Sequence, residues 1–192
     1  MLKSVFVQYK FILPEKTKHS AYSYQKLFRA IYGYTQNVTK SSGKTHRYFR
    51  RGILTNTPYI RPGKNCVILP QGTLTALTDF FQTGKNPTHY WREKGNWKAV
   101  YYRDEKNISE EQAAEALEQL LDRVHIAETD IESNLEKELA VIATEKKIPD
   151  ATYLKIILEE AKKVVSSPWF QDSYKKSDRL VAFYSNFIKI KK

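Results

Sequence analysis

The chain has 192 residues, 41% of them hydrophobic, and a single cysteine. That is enough apolar material for a packed core, and Cys66 alone excludes an internal disulfide or a zinc site built from cysteine pairs. The net charge of +11 is unevenly placed: residues 1–103 hold 18 Lys and Arg against three acids (Glu15, Asp79 and Glu93), while residues 104–192 hold 14 against 18.

Val5, Val7, Tyr9, Phe11 and Leu13 alternate with more polar neighbours, which predicts a half-buried strand ended by Pro14. Met1 to Leu13 is too polar for a signal-peptide core, and no run reaches membrane-spanning length, so a cytoplasmic protein without a membrane partner is expected. Tyr24, Leu27, Phe28 and Ile31 fall at helical spacing, with Gly33 as the stop. Ser41-Ser42-Gly43-Lys44 is a turn, after which Thr45 to Thr55 reads as a strand. Pro58, Pro62 and Gly63 mark a loop. Cys66 to Leu69 is a short apolar strand, and Leu74, Leu77, Phe80 and Phe81 form a second helical stripe stopped by Gly84. His89 to Arg92 and Trp97 to Arg103 flank Lys94-Gly95-Asn96 as a hairpin.

This order, strand-helix-strand-strand-helix-strand with the last strand doubled, is the ferredoxin-like βαββαβ arrangement. No run matches the aromatic consensus of the RNA-recognition domains that share it. From Asn107 the pattern turns helical. Ser109 with Gln112 and Thr129 with Glu132 are capping boxes. Leu117, Leu120, Leu121 and then Leu135, Leu139 and Ile142 make apolar stripes. Pro149-Asp150 opens a further helix, and a last one carries Leu180, Phe183 and Phe187. The expected fold class is therefore α+β: a basic ferredoxin-like domain over residues 1–104 and a helical bundle over 105–192.

The basic domain also holds 18 of the 25 aromatic residues. Cations mixed with flat rings suit a single-stranded nucleic acid, the first for its phosphates and the second for its bases. Lys40, Lys44, Arg47, Arg50, Arg51, Arg61 and Lys64 are the expected phosphate contacts, interleaved with Tyr48 and Tyr59. Trp91 and Trp97, on the aromatic hairpin, are the expected base-stacking residues together with Tyr48. His46 and His19 are the candidates for a proton-shuttling residue of a metal-independent endoribonuclease.

Other chemistries are not encoded. Gly43-Lys44-Thr45 ends like a phosphate-binding loop, but Val38 stands where the motif needs its first glycine. Glu160-Ala161-Lys162 imitates a metal-nuclease pattern on a helix, where its side chains do not converge. No metal and no cofactor is expected. The expected function is binding of RNA or another single-stranded nucleic acid, as a ribonucleoprotein subunit whose helical half engages a protein partner. The alternatives are the endoribonuclease and a DNA-binding protein of a plasmid, virus or mobile element.

Overall fold

A computed structural model of the chain describes residues 1–16, 18, 20–85, 95–126, 134–145 and 150–191. The elements in order are β1 (Leu2–Ile12), α1 (Tyr22–Tyr32), β2 (Tyr34–Thr39), β3 (Thr45–Arg50), β4 (Cys66–Pro70), α2 (Leu74–Thr83), β5 (Lys98–Ile108), α3 (Glu110–Arg123), α4 (Leu135–Glu145), α5 (Ala151–Val165), α6 (Phe170–Ser173) and α7 (Asp178–Lys191). The fold is mixed α+β, with strands and two helices first and helices after.

The alternation in β1 is used on both faces. β1 lies between β4 and β5 in an antiparallel sheet of order β4-β1-β5, and β5 pairs with it along its full length. Val7, Tyr9 and Phe11 are buried with Leu27 and Ile31 of α1 and Leu77, Phe80 and Phe81 of α2. Leu2 and Phe6, on the opposite face, pack with Ile68 and Ile108 against the core of the helical half. One sheet thus separates two cores. The helical core holds Leu117, Leu120, Leu121, Leu139, Ile157, Phe170 and Phe183, all essentially inaccessible. Each such side chain is worth roughly 1.5–3 kcal/mol of apolar transfer.

The helix signals operate as physical chemistry requires. Ser109 Oγ accepts the Gln112 N–H at 3.2 Å, and Gln112 Oε1 accepts the Ser109 N–H at 3.0 Å, closing the capping box of α3. Asp150 Oδ1 accepts the N–H groups of Thr152 and Tyr153 at the start of α5. Arg179 of α7 donates to Glu136 of α4 at 2.6 Å and to Asp122 of α3 at 2.7 Å, tying three helices together. The Thr129–Glu132 capping box, Pro149 and the first arm of the expected aromatic hairpin lie outside the described residues.

The strand arrangement departs from the ferredoxin-like expectation. Among the described residues the main sheet has three strands, and β2 and β3 form a separate antiparallel hairpin. No residue of that hairpin is buried. Its faces mix Tyr34, Val38, Tyr48 and Phe49 with Thr, Asn, Gln, His and Arg, so neither is a continuous apolar face of the kind that packs on a helix layer. The strand expected to reach Thr55 ends at Arg50, because the chain crosses itself there. The Gly33 and Gly52 backbones nearly touch: a Cβ built on Gly52 would lie 2.2 Å from the Gly33 nitrogen. Ile53 and Leu54 then donate to the carbonyls of Ala30 and Ile31 at 2.8 Å, fastening the hairpin base to the end of α1. β5 runs through residues 104–106, the expected junction, and delivers Ile108 into the helical core.

Candidate nucleic-acid interface

The hairpin carries a file of cations and rings that begins on α1. Tyr22 and Arg29 lie one above the other two turns apart, and the helix stop at Gly33 directs Tyr34 back beside them. The Arg29 guanidinium sits 5.5 Å from the Tyr22 ring centre and 4.8 Å from that of Tyr34. Register then places Arg50 opposite Tyr34, Tyr48 opposite Gln36 and His46 opposite Val38, all on one face. Arg50 Nε donates to Gln36 Oε1 at 2.9 Å, and its guanidinium lies 5.5 Å from the Tyr48 ring centre. Tyr48 and His46 stack at 6.3 Å with 28° between their planes. The sequence Tyr22, Arg29, Tyr34, Arg50, Tyr48, His46 is therefore a stripe of alternating charge and π-surface. Tyr22 is 64% exposed.

Beyond the stripe, the turn places Lys40 and Lys44 in solvent, where Lys40 N–H donates to Lys44 O at 3.0 Å. Gly43 supplies the positive φ of 77° that the turn needs. Arg47 projects from the other face, opposite Asn37, and is exposed. No carboxylate occurs between Glu15 and Asp79. Arg29 and Arg50 are held by rings and, for Arg50, by the Gln36 amide, which orient them without neutralising them.

Several expected contacts are assigned elsewhere by the packing. Trp97 is 8% exposed and packs on Phe11 and Phe80, each at 5.4 Å, so its ring belongs to the core and offers no face to a base. Tyr59 is 7% exposed, sandwiched between Tyr32 at 5.4 Å and the Arg123 guanidinium at 4.2 Å. Burial there pushes the Arg123 pKa down. Arg51 turns towards the helical half: Nη2 donates to the His125 carbonyl at 3.2 Å and lies 3.9 Å from Glu160. Burial, with Arg51 adding to it, lowers the His125 pKa, and its Nδ1 is buried without a partner among the described residues. Arg61 covers the Tyr32 ring at 4.3 Å and, like Lys64, is exposed. Trp91 and His19 lie outside the described residues.

Of the expected site residues, Lys40, Lys44, Arg47, Tyr48, Arg50 and His46 are brought together, and Arg61 and Lys64 stand in the loop before β4. None of Arg29, Tyr22, Tyr34 and Gln36 was expected as a nucleic-acid contact. Their signal was an arginine in the last turn of α1 with one tyrosine seven residues before it and another five after. No group of three or more His, Cys, Asp or Glu among the described residues could hold a metal ion, and no described helix is long and apolar enough to cross a membrane. No protein-family model, curated protein or solved structure matches the chain.

Proposed function

We propose that the protein binds single-stranded nucleic acid, RNA foremost, along the cation–aromatic stripe of the hairpin. The observation that carries this reading is the stripe itself: arginines held over tyrosine rings, on a projecting hairpin with no carboxylate. Fork-shaped guanidinium groups pair with phosphate oxygens, and exposed rings accept bases. The lysines at the turn extend the positive path to the tip. We read the sheet β4-β1-β5 as the inner part of a ferredoxin-like arrangement whose fourth position has peeled away as the hairpin. The helical half supplies a protein interface in a ribonucleoprotein.

Salt titration with a short single-stranded RNA tests the proposal. Affinity is expected to fall steeply with salt. Each lost phosphate contact should flatten the slope of log K against log salt by about 0.7, so Lys40→Ala/Lys44→Ala/Arg47→Ala should flatten it by up to about 2. Absence of binding at micromolar protein and low salt would overturn the reading. Preference for duplex DNA in competition would move it to the DNA-binding alternative.

A further inference from the structure

The helical half covers only one end of the sheet's outer face. Leu2, Ser4 and Phe6 lie under it, whereas Gln8, Lys10 and Ile12 are exposed. On β5 the neighbouring positions are Val100, 51% exposed, and Tyr102, 60% exposed. β4 stops at Cys66, and the chain before it turns away through Lys64 and Asn65. Gln8, Lys10, Lys64, Asn65, Val100 and Tyr102 line an open groove of about 520 Å³, within the ~300–1,000 Å³ common for small-ligand sites.

Two features of the groove point to an occupant. Asn65 has φ of +59°, and its carbonyl accepts the Tyr9 N–H at 2.9 Å. Its side-chain Oδ1 is buried with no hydrogen-bond partner among the described residues. A buried polar atom left unmet is rare in a folded protein and asks for a donor. The second feature is charge. Among the described residues, Lys10 and Lys64 line the groove and no carboxylate does. An anionic ligand with a flat, amide-seeking face satisfies both.

We propose that this groove is a nucleoside subsite for an unpaired base of the bound strand. The base lies on the Tyr102 ring beside Val100, its polar edge meets the amides of Asn65 and Gln8, and the flanking phosphates meet Lys10 and Lys64. The inference rests on the single-strand reading above and adds that bases, as well as backbone, are read. The groove and the hairpin stripe share one origin: Tyr22 opens the stripe, and Tyr24, in the same turn of α1, lines the groove.

The test uses fluorescence anisotropy with two probes of equal length, a labelled single-stranded RNA and its abasic counterpart. Tyr102→Ala should weaken binding of the base-bearing strand roughly 5- to 150-fold and leave the abasic strand unchanged. Asn65→Gly keeps the positive-φ backbone and deletes the amide; it should cost about two- to tenfold with the base-bearing strand alone. If both variants bind both probes as the wild type does, or lose equally on both, the subsite is overturned. The hairpin reading still stands in that case if Lys40→Ala/Lys44→Ala/Arg47→Ala weakens both probes. A wild-type protein that binds neither probe overturns both proposals.

Discussion

The hairpin and the helical half contain similar side chains and use them in opposite ways. In the helical half, cations are spent on carboxylates: Arg179 on Glu136 and Asp122, Lys176 on Glu110 and Glu111 at 3.2 Å, Lys163 on Glu160. The pairing raises the Lys176 pKa above the ordinary lysine value; hydrogen bonds from the backbone N–H of Glu111 and from Ser109 at the helix start, with Lys176 adding to them, lower that of Glu111. On the hairpin and the adjoining end of α1, Arg50 and Arg29 lie over tyrosine rings. A ring fixes the direction of a guanidinium while leaving its N–H groups and its full charge for another molecule. The contrast teaches that the sign and number of charges matter less than what holds them.

The largest expected effect breaks the geometry on which the comparison rests. Gly52→Ala puts a Cβ 2.2 Å from the Gly33 nitrogen and 2.7 Å from the Ile31 carbonyl oxygen, both backbone atoms that no rotamer change can move. The crossing must open, detaching the hairpin from α1. A loss of at least about 3 kcal/mol in urea unfolding is expected, with nucleic-acid affinity lost alongside. Wild-type stability in this variant would mean that the crossing opens at no cost.

Next comes Arg179→Ala, which tests the spent cations. It removes a charge-assisted clasp on three helices, but the groups are partly exposed and screened, so about 1–2 kcal/mol is expected. RNA affinity should not change. A drop in affinity greater than the loss of folded protein explains would erase the distinction between the two regions.

Much of this architecture was legible in the chain. The alternation of β1, the Ser109–Gln112 box and the Ser41–Lys44 turn depend on neighbours in sequence, and each is where the pattern placed it. What escaped was decided by residues far apart. Nothing local to Trp97 says that Phe11 and Phe80 will close over it. Tyr59 lies among prolines that suggest a surface loop, yet the bridge between Ile60 and Ile68 draws it in under Arg123. Arg51 differs from Arg50 only in which way the strand end turns. The separate hairpin was hidden because Gly33 reads as an ordinary helix stop, and its close approach to Gly52 is a contact between distant positions.

The smallest expected effect lies where the two regions meet. Phe49 at the hairpin base packs 5.7 Å from the His125 ring, and Arg51 holds the His125 carbonyl. Burial and the nearby Arg51 charge favour the neutral imidazole, so the folded protein holds the His125 pKa below its ordinary value of about 6.5. The unfolded chain then binds more protons than the folded one as pH falls below about 6.5, and stability drops with pH in that window. Above it the ring is neutral in both states and contributes no slope. His125→Gln removes the titration, so its urea midpoint should fall less than that of the wild type between pH 7.5 and 5.5. Because Arg51 is engaged here rather than at the stripe, RNA affinity at pH 7.5 should be the same in both proteins. Equal midpoint shifts would show that the ring is solvated in the folded state. A weaker RNA complex in His125→Gln at pH 7.5 would show that the contact between the regions also sets the posture of the hairpin.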